Sequence, residues 1–387
     1  MTSSLSSRFT AAVRSVVGDD PVVGLHEPDI GERERVLVNE CLESTFVSSV
    51  GPFVTRFEQE IAAYTGSKHA VAVSNGTSAL QVALVLAGVR AGDEVLVPAL
   101  SFVATANAVT HAGATPFFVD SSAETLGLDV SALGEVLRHL EKRDGGVVNP
   151  RTGARVSAVV PMHTLGHPVE IEAIVALADQ YGIAVVEDAA ESLGSFVGTR
   201  HTGTFGTLGI LSFNGNKIVT TGGGGMILTD DDELGRRAKH LTTTAKRLHE
   251  WEFEHDEVAW NFRMPNLNAA LGVAQLSKLD RYLSDKRQLA ERYAAAFAGF
   301  SEVSFLGEPS GTTSNYWLNA IRLEANDQVL RDELLRAAND AGLKCRPFWN
   351  LLSEQQMYRS HERGDLTTAK SLVASVICLP SSPRLAG

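Results

Sequence analysis

Cysteine is scarce in this 387-residue chain: Cys41, Cys345 and Cys378 are odd in number and far apart, so no CxxC metal or redox centre exists. That usage fits a reducing cytosol. Long apolar runs are also missing, none approaching the ~18 residues of a membrane span, and the opening MTSSLSSRFTAAVRSVVGDD lacks the apolar centre of a secretion signal. Both absences predict a soluble cytoplasmic protein without a membrane partner. Basic side chains are the minority, 34 against 46 acidic, giving a net charge of −12 that repels phosphate backbones and anionic lipid surfaces. Nucleic acid is therefore not expected as a partner, although a local basic pocket remains compatible with a small anionic ligand. Charged residues make up 21% and hydrophobic residues 44%, far from the composition of a disordered chain. The length corresponds to about two to three domains of roughly 150 residues.

What is present is an alternation of β-rich runs and helical stretches. HAVAVS (69–74), EVLVPA (94–99), TPFFVD (115–120), VSAVVP (156–161), IAVVED (183–188), LGILSF (208–213) and GMILT (225–229) read as strands. Several are continuously apolar, as in strands covered on both faces. Segments 78–86, 101–111 and 169–181 read as helices between them, each preceded by turn residues or capable N-caps. The pattern predicts an α/β domain with a mostly parallel seven-stranded sheet. The polar, glycine-bearing stretch 141–155 reads as a surface excursion before the fourth strand. After Pro265, apolar residues at helical spacing predict one long helix over 266–297. YWLNAIRL as a strand, DQVLRDELLRAANDAGL as a helix and VICLP as a short strand then suggest a smaller α+β domain. The expected division is residues 1–265 and 266–387.

Three segments carry chemistry. In ILSFNGNKIVTTGGGGMILT, Lys217 follows an apolar strand and precedes glycines 222 to 225. A lysine in a cleft at a strand's carboxyl end can form a Schiff base, although a solvated loop lysine is the commoner reading of position alone. The glycines let backbone turn sharply or pass close to a ligand. Since the lysine precedes them, and neither GxxxxGK[ST] nor GxGxxG opens a helix, nucleoside triphosphate and dinucleotide sites lose their main support. In SNGTSAL (74–80), Asn75 to Ser78 join a strand to a helix start, where free N–H groups would receive a phosphate; ordinary helix capping is the commoner alternative. In VVEDAAESLGS (185–195), Asp188 ends a strand, where a carboxylate can keep a pyridine nitrogen protonated or simply cap a helix.

Taken together, with Phe102 of PALSFVATANAV able to stack on a ring, these elements resemble the fold-type I pyridoxal phosphate enzymes. The chain is similar to the DegT/StrS-type sugar aminotransferases from about HEPDIG (26–31) to CLPSSP (378–383). The resemblance implies that Lys217 carries the cofactor and acts as general acid and base, with Asp188 on the ring nitrogen and Phe102 against the ring. It further implies Gly76, Thr77 and Ser212 at the phosphate, and Asn261 of WNFRMPN reaching the phosphate of a neighbouring subunit in a homodimer with shared sites. Glu191 stands where relatives often carry glutamine; beside the cofactor its carboxylate would need a proton or a cation. The lysine favours transamination over deoxygenation, because deoxygenating relatives carry histidine there.

PMHTLGHPVEI, TGTFGTLGILSFNGNK and HLTTTAKRLHEWEFEHDEVAWNFRMPN resemble enzymes of legionaminic-type and bacillosamine-type pathways. The implied reaction moves an amino group from glutamate to the 4-keto carbon of a nucleotide-linked 2-acetamido-4-keto-6-deoxy hexose. Two rival readings are a pyridoxal phosphate lyase or desulfurase, which would need a reactive thiol or another special group, and a non-catalytic cofactor-binding regulator. No metal is expected: His163 and His167 are interrupted by Gly166 and Pro168 and read as a strand-end loop lining the cleft. His249 and His255 read as part of a mobile loop near the sugar. Lys246, Arg247, Arg263 and Arg346 are candidate anion contacts, with surface ion pairing as the commoner use of such residues.

Overall fold

The computed structural model describes residues 4–143 and 145–386. The chain opens with α1 (Leu5–Val17), α2 (Glu32–Glu43) and α3 (Pro52–Thr65). The α/β region follows as β1 (His69–Val73), α4 (Gly76–Leu86), β2 (Glu94–Pro98), α5 (Val103–His111), β3 (Thr115–Val119), α6 (Val130–Arg138), β4 (Arg155–Val159), α7 (Ile171–Tyr181), β5 (Ala184–Asp188), β6 (Leu208–Ser212), β7 (Gly225–Thr229) and α8 (Asp232–Thr242). Then come α9 (Asn266–Leu276), α10 (Leu279–Phe297), β8 (Val303–Phe305), β9 (Asn319–Leu323), α11 (Gln328–Asp340), β10 (Arg346–Pro347), α12 (Thr367–Ser375) and β11 (Val376–Leu379).

The seven expected strands lie in one sheet in the order β1-β7-β6-β5-β4-β2-β3. Strand β7 is antiparallel to both neighbours and every other pairing on that path is parallel. Helices α4, α5 and α8 cover one face, while α3, α6, α7 and α9 cover the other, so the strands are enclosed and mainly apolar. The described residues of 141–155 include regular structure. Glu141–Arg143 and Gly146–Val148 form an antiparallel hairpin that joins the sheet through β4, for nine strands in all.

Two expectations for the C-terminal part are corrected. The single helix over 266–297 is two helices, broken at Ser277 and Lys278. At the break, the Lys278 ammonium ion-pairs with buried Glu34 at 2.6 Å and donates to the Asp29 carbonyl, so the N-terminal segment crosses there. The strand expected from Tyr316 begins at Asn319; Tyr316 has φ 47°, outside any strand geometry. Strands β8-β9-β11-β10 make an antiparallel sheet, and α1 shares its core with α10 and α11. We retain the division at residue 265 as a proposal, with two crossings added by packing: α9 lies on the core of α2 and α3, and α1 on the C-terminal core.

The glycines at 222–225 serve packing more than ligand approach. Gly222 takes φ +77°, while a Cβ on Gly225 would lie 2.6 Å from the Asn75 carbonyl. Gly225 thus lets the first turn of α4 sit directly over β7. Gly225→Ala is expected to cost about 1–3 kcal/mol from overpacking, read by urea denaturation.

Candidate active site

A cavity of about 950 Å³ opens at the carboxyl ends of β1, β2, β4, β5 and β6, where ligands bind in open α/β sheets. Of the eight residues singled out from sequence, Gly76, Thr77, Phe102, Asp188, Glu191, Ser212 and Lys217 all line it. Asn261 does not: it lies exposed outside the cavity, its side-chain oxygen accepting from Arg263 Nε at 2.9 Å.

Asn75 caps α4 by accepting from the Ser78 amide at 2.8 Å, and helix geometry leaves the amides of Gly76 and Thr77 without intrahelical partners. A Cβ on Gly76 would stand 3.2 Å from Ser212 Oγ, so the glycine keeps a gap between the helix start and that hydroxyl. Two free amides, a hydroxyl and the positive helix end suit a phosphate. Phe102, at the N-cap of α5, is 52% exposed with its side chain in the cavity, an apolar surface free to meet a ring.

Asp188 ends β5 and is buried, accepting from Thr105 Oγ1 at 2.8 Å and from the Ala190 amide at 3.2 Å. Burial pushes its carboxyl above the usual carboxylate range, against those bonds and the nearby Lys217 and His163. A cationic N–H placed against it would favour the ionised form, which is the fit a protonated pyridine nitrogen needs.

Lys217 rises from the turn after β6. Phe213, Ile218 and Val219 are buried on the large core, and the Lys217 amide donates to the Asn214 carbonyl at 3.0 Å, so the apolar flanks are anchored and the lysine projects into the cavity. Its amine meets Glu191 Oε1 at 3.2 Å and lies 3.9 Å above the Trp317 ring. Glu191 Oε2 accepts from the Leu165 amide at 2.9 Å. Burial pushes the Glu191 carboxyl up to about 7, more than Lys217 and the Leu165 amide pull it down.

The strand-end loop of His163 and His167 lines the cavity through Met162 and Leu165, not through its histidines. His163 lies behind it, Nδ1 accepting from the Val169 amide and Nε2 pairing with Glu187 at 3.0 Å. His167 packs edge-on to Tyr316, with burial holding it down at about 4. His249 and His255 are exposed and outside the cavity lining. Lys246 lies on the Phe253 ring, Arg247 on Glu254 and Arg263 on Asn261, whereas Arg346 lines the cavity. Trp317, Trp349, Asn216 and Gln355 also line it and were not anticipated. Trp317 was hidden in a segment that reads as a strand, and no sequence signal set it apart.

The sequence pattern of the DegT/DnrJ/EryC1/StrS aminotransferase family matches residues 28–387. The chain belongs to that family. It is 35% identical over 368 residues to EpsN of Bacillus subtilis (strain 168), whose name includes "pyridoxal phosphate-dependent aminotransferase", covering 93% of this chain and 91% of that one. It is also 35% identical over 363 residues to GDP-perosamine synthase of Escherichia coli O157:H7, covering 94% of each. The solved structure of the aminotransferase TlmJ from Streptoalloteichus hindustanus superposes with a TM-score of 0.84 at 31% identity, covering 93% of each chain. The protein is thus a sugar aminotransferase of fold type I, and pyridoxal phosphate is its cofactor.

Glu191 gives a pH test. Its folded-state value of about 7 lies above the usual 4.5, so the stability of the protonated form is complete below pH 4.5 and is lost as pH rises through 7. In cofactor-free protein, Glu191→Gln should gain on wild type between about pH 5 and about pH 8 by on the order of 3 kcal/mol, read from urea midpoints.

Proposed function

We propose that the protein transfers an amino group from an amino acid, glutamate, to the 4-keto carbon of a nucleotide-linked 4-keto-6-deoxy hexose bearing a 2-acetamido group. The observation that carries the transferase reading is the convergence on one cavity of a buried aspartate, a helix-end anion cup and Lys217. A relative named for a GDP-linked sugar supports a nucleotide-linked acceptor. When bound, pyridoxal phosphate supplies an electrophilic carbon and an electron-withdrawing cationic ring. Gly76, Thr77 and Ser212 would hold its phosphate, Phe102 would pack on the ring and Asp188 would hold the charge of the ring nitrogen. Lys217 would take the proton from the reacting carbon of the donor and deliver it to the carbon across the amine nitrogen, a 1,3-shift, as general base and then acid. Glu191 would balance the ammonium so formed.

Among the described residues lining the cavity, Lys217 and Arg346 are the cations, which leaves Arg346 as the small-domain contact for an anionic acceptor. The reading includes a homodimer in which Asn261 completes the partner subunit's site; exposed Phe46, Val50, Trp251 and Phe253 supply apolar surface for such contacts. A cytoplasmic location fits three free cysteines, and no described helix is long and apolar enough to cross a membrane. Against the desulfurase alternative, Cys378 lines the cavity but burial pushes its thiol well above the usual range, away from the thiolate such chemistry uses.

In a direct test, wild type loaded with pyridoxal phosphate should show a visible absorbance band that Lys217→Ala lacks and that glutamate converts to a near-ultraviolet band. Amino transfer to nucleotide-linked 4-keto sugars, followed by mass spectrometry, should fall by about three orders of magnitude or more in Lys217→Ala. A lysine-independent band, or one unmoved by every amino acid tried, would overturn the aminotransfer reading.

A further inference from the structure

The turn entering β9 buries a side chain that does not line the cavity yet bonds to both neighbours of the reactive lysine. Asn315 is 1% exposed. Its Oδ1 accepts from the Trp317 amide at 2.8 Å, and its Nδ2 donates to the Glu191 and Leu193 carbonyls, each at 2.9 Å. Both amide hydrogens are used and the oxygen faces a donor, so the network fixes which end is oxygen and which nitrogen. An aspartate would set an oxygen against two carbonyls, and an aliphatic residue would leave three buried backbone groups unpaired.

The opposite wall is shaped to receive it. Gly166 sits at φ +96°, where a Cβ would fall 1.9 Å from Asn315 Oδ1. The Gly166 carbonyl accepts from Ser195 Oγ at 2.7 Å and Ser314 Oγ at 3.0 Å, and Ser195 Oγ accepts from the Asn315 amide at 3.0 Å. Immediately before it, Leu165 holds a left-handed φ of 57° that a branched side chain adopts at a cost, and its amide is the one on Glu191 Oε2. Strain at Leu165, a bare glycine at 166 and a fully bonded amide at 315 therefore serve one contact.

We propose that Asn315 is a positioning residue for Lys217. From the small domain it sets the backbone of Glu191 and of Trp317, and so places the carboxylate at 3.2 Å and the indole face at 3.9 Å from the lysine amine. The identity of the reaction rests on the aminotransferase reading; the placement of the amine does not. The lysine's surroundings are then complete only where segment 314–318 is seated on segment 163–166.

The test uses the full chain with N315A and with N315D, which keeps an acceptor for Trp317 but loses both donated bonds. Pyridoxal phosphate is added, trapped on Lys217 with borohydride and located by peptide mass spectrometry across pH, a measurement that requires no amino transfer. Both variants, folded by circular dichroism, are expected to move the pH profile of trapping by about half a pH unit or more. Where wild type exchanges an amino group with glutamate, they should lower kcat by about tenfold or more with the donor KM within about threefold. Folded variants that melt earlier but keep the wild-type trapping profile would overturn the proposal and leave Asn315 a purely structural residue. Should N315A and N315D fail to fold, N315S carries the same comparison. If wild type exchanges no amino group at all, the aminotransferase reading fails, while the trapping profile still decides for or against Asn315.

Discussion

Three carboxylates in five residues leave the end of one buried strand, and the site depends on how each is satisfied away from water. Strand alternation turns Glu187 and Asp188 to opposite faces of the sheet. Glu187 accepts from the amides of Gly203, Phe205 and Gly206 and pairs with His163, so its charge organises the loop beneath the sheet. Asp188 has only a hydroxyl and one amide on the cavity side, which leaves it in want of a cation. Glu191 meets a cation of its own in Lys217. A buried carboxylate given many donors is structural, and one given few is reserved for a ligand or a proton.

Close approach is the second requirement. The anion cup forms because two positions carry no side chain: Gly225 lets α4 rest on β7, and Gly76 keeps Ser212 apart from the helix start. The sheet therefore delivers the helix end, the aspartate and the lysine to one rim without any of them leaving regular secondary structure by more than a short turn.

The large domain was legible because its strands are mainly apolar and its chemistry sits at strand ends, features that lie within a few residues of each other. Lys217, Asp188, Gly76 and Phe102 could each be placed that way. The small domain was not, because its contributions are set by long-range packing. Trp317 and Asn315 sit in a turn whose Tyr316 breaks the apparent strand, and no local pattern marks a residue that hydrogen-bonds across 124 positions to Glu191. The helix over 266–297 looked continuous because apolar spacing continues across Ser277 and Lys278; the break is imposed by the Asp29 carbonyl, which receives Gln275, Lys278 and Tyr282. The role expected for Asn261 rests on likeness alone, since within this chain it pairs with Thr243 and accepts from Arg263 away from the cavity.

The N-terminal helix completes a core made from the other end of the chain. Phe9, Val13 and Val16 pack with Tyr293, Phe297 and Leu334, and Arg292 donates to the carbonyls of Val16, Leu385 and Ala386, gathering both termini on one guanidinium. During synthesis this helix is made well before α10 and α11, the helices that bury it. Its apolar face must wait, uncovered, until those helices follow, so an early-made element can reach its native packing only late.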